Sequence, residues 1–129
     1  MKSKSSYSFF FVILEKLNKG KGEEGIENRY GLAIDMYCHR IKKYIGAYIA
    51  VIGKIDAIIF TGGVGENAKE IRKRVCDGLE HLNIIIDDIK NENCTGKEIT
   101  RINSNLTNLS IFVVPTNEEL EIAQQSSKL

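Results

Sequence analysis

No two cysteines of this 129-residue chain stand in a C-x-x-C pair. Cys38, Cys76 and Cys94 are odd in number and widely spaced, so neither a zinc cage nor a disulfide framework is indicated. A reducing, cytoplasmic setting is the simplest one for such usage. His39 and His81 have no spaced ligand set around them, which argues against a metal site built on either. Charge of one sign is also missing: 18 basic and 17 acidic side chains leave a formal net charge of +1. That balance offers no attraction to nucleic acid or to an anionic membrane, and neither is expected as a partner. Long hydrophobic runs are absent as well. Residues 9–14 follow two lysines, but the run is short for a signal-peptide core and leads into Glu15-Lys16 rather than a small-residue cleavage site. Residues 44–60 are broken by Gly53, Lys54 and Asp56, so they read as a helix end, a turn and a strand rather than a membrane span. There is no internal repeat.

What is present is the composition of a soluble globular domain, 43% hydrophobic and 27% charged, with length enough to bury one core. Residues 1–26 form a divergent segment. Its charged, Gly-rich run at 16–25 reads as a flexible connection. From residue 27 the period becomes helical: Ile34, Tyr37, Ile41, Tyr44, Ile45, Tyr48, Ile49 and Ile52 recur at steps of three and four, with Arg40, Lys42 and Lys43 off the stripe. One long amphipathic helix over 27–52 is expected, its tyrosines packed in the core rather than forming a ligand surface. Ala57-Ile58-Ile59-Phe60 has the length and branching of a strand buried on both faces. A helix over 68–82, strands at 84–86 and 111–114, polar turns at 91–96 and a last helix over 117–125 complete the pass. The order α-β-α-β-β-α predicts an α/β layered fold.

Two short stretches carry chemistry. Thr61-Gly62-Gly63-Val64-Gly65-Glu66-Asn67 joins a strand to a helix. Its glycines permit positive φ and close approach of a ligand, and free amides at the helix start favour an anion or a nucleotide. The stretch lacks the Gly-Lys-Ser/Thr ending of a P-loop, and Ala68 stands where the dinucleotide fingerprint needs a third glycine. Spacing alone leaves a plain β-α turn equally open, with Glu66 and Asn67 as helix-capping groups. The second stretch is Pro115-Thr116-Asn117-Glu118-Glu119-Leu120. Thr116 and Glu119 have capping-box spacing, which leaves Glu118 for a hydrated magnesium ion or for no ligand at all.

Read together, these stretches resemble the acetate kinase family. Residues 55–68 look like its adenosine motif. Val75-Cys76-Asp77-Gly78-Leu79 and Pro115-Thr116-Asn117-Glu118-Glu119-Leu120 follow in order, while Ala33-Ile34-Asp35-Met36 and residues 40–48 are similar to its long helix. The likeness covers roughly residues 28–124. It implies a partial actin/hexokinase/Hsp70-like (ribonuclease H-like) domain at 27–129, serving as the carboxy-terminal nucleotide-binding subdomain. The family transfers phosphate from ATP to acetate with magnesium, giving ADP and acetyl phosphate. By that resemblance Gly63, Val64, Gly65, Glu66 and Asn67 contact ATP, Ile71 and Arg72 lie beside the adenosine, and Glu118 is the magnesium-associated carboxylate.

The resemblance also implies what is missing. The family's amino-terminal asparagine and its phosphoryl-transfer arginines, aspartate and histidine lie ahead of the matched region, and no catalytic residue is assigned here. Because phosphoryl transfer depends on such positioning and charge-stabilising groups, the chain is expected to be inactive alone. Where the family has Ser-Ser-Asp-x-Arg-Asp, this sequence has Ser5-Ser6-Tyr7-Ser8-Phe9-Phe10. Two alternatives stand beside the truncated kinase: half of a split kinase that needs a separate amino-terminal chain, and a non-enzymatic module that binds ATP or dimerises, as the family does through its carboxy-terminal domain. An apolar helix face without its usual cover predicts a tendency to aggregate.

Overall fold

The computed structural model describes residues 24–116 and 118–128. The expectation of a flexible segment over residues 1–26 falls almost wholly outside that range. Helix α1, Glu24–Ile52, begins within the Gly-rich run and continues for 29 residues, so Glu24 and Gly25 belong to a helix rather than to a connection. It stops at Gly53, whose φ of 88° is cheap only for glycine and whose N–H still reaches Ile49 O at 2.8 Å.

Strand β1, Ala57–Phe60, follows. Helix α2, Gly62–Asn67, and helix α3, Lys69–Cys76, come next. A 3₁₀ turn at Glu80–Leu82 leads to helix α4, Asp88–Asn93, strands β2, Thr100–Arg101, and β3, Ser110–Val113, and helix α5, Glu118–Ser127. The sheet has the order β1-β3-β2. β1 runs parallel to β3, with Ala57 opposite Ser110 and Phe60 opposite Val113. β2 runs antiparallel to β3.

Two apolar clusters hold these elements together. Ile34 and Cys38 of α1 pack with Ala68, Ile71 and Val75, and Tyr37, Ile41, Phe60 and Val64 close around them. Cys76, Ile84, Ile102, Leu109, Ile111 and Val113 form the second cluster, against which Ile45, Ile49, Ile58 and Phe60 pack. Ile45 and Phe60 touch both clusters, making one continuous core between α1, α3 and the sheet.

Several sequence expectations need correction. β1 is an edge strand, not one buried on both faces: Ala57 and Ile59 are exposed while Ile58 and Phe60 are half-buried. β3 covers only one of its edges. Helix 68–82 is broken after Cys76, because Asp77 leaves helical geometry at ψ 129° and Gly78 takes φ 83°, conformations a continuing helix does not contain. The expected strand at 84–86 shrinks to one bridge between Ile86 and Asn103. Asp87 ends it by accepting the Lys90 N–H at 2.9 Å, which caps α4, and that helix takes in residues 91–93 of the polar turn expected at 91–96.

The stripe on α1 is also divided. Ile34 and Cys38 are buried and Ile41, Ile45 and Ile49 half-buried, but Tyr44, Tyr48 and Ile52 point to solvent with Leu32, Met36 and Val51, all between 54% and 83% exposed. Tyr44 and Tyr48 stack on each other with ring centroids 6.4 Å apart instead of joining the core. Among the described residues no helix is long and apolar enough to cross a membrane.

Candidate functional site: a glycine turn clamped from both sides

The parallel pairing of β1 and β3 brings their carboxyl ends together, the place where open α/β sheets characteristically hold ligands. Residues 61–67 leave one strand there and residues 114–116 the other. Thr61 is extended, with φ −149°, and its hydroxyl donates to Val114 O at 2.8 Å. Gly62, at φ 75°, then turns the chain into the six residues of α2. The glycine stretch is therefore itself a short helix.

Glu66 is the centre of this arrangement. One carboxylate oxygen, Oε1, accepts from Gly62 N at 3.0 Å, from Thr116 N at 2.7 Å and from Thr116 Oγ1 at 2.8 Å. The first amide of the turn is thus taken by an internal carboxylate and is not a vacant anion donor. Asn67 adds a second internal tie, with Nδ2 donating to Gly63 O at 3.0 Å. Spacing suggested capping roles for Glu66 and Asn67; it gave no sign of the bond to Thr116.

Ile71 and Arg72 lie behind the turn, 2% and 1% exposed. Ile71 is part of the core. Arg72 Nη1 donates to Gly65 O at 2.9 Å and to Glu66 O at 3.0 Å, while Nε donates to Asn91 Oδ1 at 2.7 Å and Nη2 to Asn91 O at 3.3 Å. Asn91 is buried too and donates through Nδ2 to Lys69 O at 3.0 Å. Burial pushes the Arg72 pKa below its ordinary value, although a guanidinium keeps its proton. As they stand, Ile71 and Arg72 support the turn rather than front it. Asn91, which sequence reasoning placed in a polar turn, is the residue it missed.

The glycines divide into two kinds. A Cβ on Gly65 would come within 3.0 Å of the Phe60 backbone, and one on Gly96 within 2.4 Å of Glu66 O. Those two glycines let the chain pack on itself. A Cβ on Gly63 would meet nothing within 4 Å, and both Gly63 and Asn67 are exposed. The open face of the turn is there, and it gives a nucleotide room to lie against the backbone.

Asn117 lies outside the described residues, as do the side chains of Glu118 and Glu119, so the magnesium expectation is not reached by the described geometry. Among the described residues no group of three or more His, Cys, Asp or Glu could hold a metal ion. A separate cavity of about 430 Å³ opens near the amino ends of β1 and β3, lined by Ile49, Lys54, Asp56, Asn83 and Leu106 among others. None of the anticipated site residues reaches it.

Comparison with known proteins supplies the setting for this geometry. The acetokinase family model matches residues 13–124. An acetate kinase from Alkaliphilus metalliredigens is 50% identical over 101 residues, covering 78% of this chain and 25% of that protein. The crystal structure of Porphyromonas gingivalis acetate kinase superposes with a TM-score of 0.74 at 38% identity, over 92% of this chain and 28% of the other. A propionate kinase from Francisella tularensis gives 0.68, also at 38%, over 89% and 27%. The chain thus spans about a quarter of the length of such relatives.

Proposed function

The chain belongs to the acetokinase family, and on that premise we propose that it is the adenosine-side, nucleotide-binding part of an acetate-kinase-like fold, related to the actin/hexokinase/Hsp70 group. The observation that carries this reading is the Glu66–Thr116 contact. It joins the two stretches that resemble the family's nucleotide site although 50 residues separate them. ATP or ADP is the proposed ligand, lying on the open face of Gly63 to Asn67, with Ile71 and Arg72 acting from behind. Magnesium would accompany ATP, with Glu118 its proposed carboxylate.

The family reaction, phosphoryl transfer from ATP to a carboxylate, needs groups that hold the acceptor and stabilise charge on the moving phosphoryl group. No residue of this chain is assigned to those roles, so the chain alone is proposed to bind nucleotide without turnover. Purified chain supplied with ATP, magnesium and acetate, with acetyl phosphate trapped as the hydroxamate, should give no product above background. Calorimetry should register ATP binding. Clear turnover would overturn the first statement, and absence of ATP binding the second.

The outer face of α1 favours a second reading, in which the chain works by association. Met36, Tyr48 and Val51 are each at least 60% exposed, and one edge of β1 pairs with nothing among the described residues. Partners in this reading are a second copy or an amino-terminal kinase half. If mixing with such a half yields neither a complex by sedimentation nor acetyl phosphate, the split-kinase form of it fails.

A further inference from the structure

The cavity at the amino ends of β1 and β3 lies at the opposite end of the sheet from the glycine turn. Its volume of about 430 Å³ falls in the range of small-molecule sites, roughly 300–1,000 Å³. Its walls come from the end of α1, the loop into β1, the residues closing the 3₁₀ turn, and the loop between β2 and β3. Hydrogen bonds tie those walls to one another. Ser110 N donates to Asp56 O at 3.0 Å, Thr107 Oγ1 donates to Asn83 O at 2.6 Å, and Leu109 N donates to Thr107 Oγ1 at 3.1 Å. The space is therefore formed by the fold itself, as ligand sites usually are. The apolar part of its lining is continuous with the core: Leu109 is buried, and half-buried Ile49, Ile55 and Leu82 pack in the second cluster. Leu106 also lines it and is 86% exposed.

Against this lining stand four polar side chains, Lys54, Asp56, Asn83 and Asn108, that make no hydrogen bond or ion pair among the described residues. Lys54 and Asp56 are opposite in sign and two residues apart on one loop, yet they do not pair with each other. A lone anion beside Lys54 would lie in the field of Asp56, and a lone cation beside Asp56 in that of Lys54, so either gains little. A ligand that carries both charges meets both partners. We propose that this cavity binds a small zwitterion with an aliphatic body, in chemical class an apolar α-amino acid. Its carboxylate faces Lys54 and its ammonium faces Asp56. The amides of Asn83 and Asn108 offer both donors and acceptors to the two ends, and the aliphatic body covers the apolar lining. Lys54 and Asp56 are exposed, so water screens each pairing and the affinity expected is modest. The site shares no residue with the glycine turn and does not rest on the nucleotide reading.

The test titrates L-leucine into the full chain at low salt and follows amide chemical shifts by NMR. Three smaller probes each lack one element: isocaproate has no ammonium, isopentylamine no carboxylate, and glycine no aliphatic body. L-leucine should move the amides of Ile55, Asn83 and Asn108 and bind at least about tenfold more tightly than any of the three. Lys54→Met and Asp56→Asn alter exposed side chains without partners, so both variants should fold as the unaltered chain does. Lys54→Met should weaken leucine about tenfold and leave isopentylamine binding no weaker. Asp56→Asn should weaken leucine to a similar extent and leave isocaproate no weaker. If any of the three probes binds as tightly as leucine, the element it lacks is unused and the proposal is overturned. The proposal also fails if leucine moves no cavity amide, or if both variants bind it as the unaltered chain does. ATP affinity should be the same in the unaltered chain and both variants, so failure here leaves the nucleotide reading to its own test.

Discussion

Glu66 and Thr116 are 50 residues apart, and a single carboxylate oxygen of the first accepts both the N–H and the hydroxyl of the second. The same oxygen accepts Gly62 N, so one atom joins the start of the glycine turn to the loop after β3. Removing it in Glu66→Ala leaves three donors without their acceptor. The expected cost is about 1–3 kcal/mol, read from urea unfolding, with faster hydrogen exchange at the Gly62 and Thr116 amides. Glu66→Gln keeps an oxygen that can accept and should restore most of the loss. If alanine and glutamine behave alike, the carboxylate does not hold the two loops together.

The glycines near this atom should respond in opposite ways. Gly96→Ala places a methyl group 2.4 Å from Glu66 O at a φ of 70°, so clash and backbone strain add, and a loss of at least about 2 kcal/mol is expected. Gly63→Ala meets no atom within 4 Å and carries no positive φ, so its stability should shift by less than about 1 kcal/mol. Its cost should appear in ATP affinity, because the methyl occupies the open face. Thermal melts and nucleotide titration on both variants check the pair. A Gly63→Ala variant that binds ATP as before would remove Gly63 from the binding face.

Periodicity and branching made much of this frame legible. Ile34, Ile41, Ile45 and Ile49 mark the packed face of α1, and the β-branched runs at Ile58 and Ile111 mark the two parallel strands. Burial was less legible. Ile59 sits in a continuously apolar run, but whether such a strand is covered depends on what lies beside it, and β3 covers only one edge. The supports of the turn left still less trace, since the Arg72–Asn91 and Glu66–Thr116 bonds are tertiary and follow no period. One local signal was available. Asp87 ahead of Asp88–Asn93 is a good helix cap, and reading it as one would have moved Asn91 from a turn onto a helix.

The exposed face of α1 should govern association. Val51 is 83% exposed and Tyr48 60%, whereas Ile34 on the opposite face is fully buried. Substituting both exposed residues in Tyr48→Lys/Val51→Lys should lower self-association, seen as a smaller weight-average mass by sedimentation at high concentration. Stability should change by no more than about 0.5 kcal/mol per site. Ile34→Ala, by contrast, opens a cavity in the core and should cost about 2–5 kcal/mol. A double variant that associates as strongly as the original would move the sticky surface elsewhere, with Ile59 of β1 the next place to substitute.

Alkaline conditions should destabilise the fold through Cys76. Burial pushes its thiol from 9.0 up to about 12, and Cys38 is raised for the same reason. Below pH 9.0 both folded and unfolded chains hold the Cys76 proton, and the thiol adds no pH dependence. Between 9.0 and about 12 the unfolded chain releases the proton while the folded chain retains it. Unfolding is therefore favoured as pH rises, by up to about 1.4 kcal/mol per unit from this group. Urea unfolding followed from pH 8 to 10.5 should show that decline, and Cys76→Ala, lower in stability at neutral pH, should show a shallower one. Thiol labelling offers an independent reading, with half-buried Cys94 modified first and Cys76 protected until the chain opens. Equal slopes for the two proteins would mean that the Cys76 thiol is not held neutral by burial.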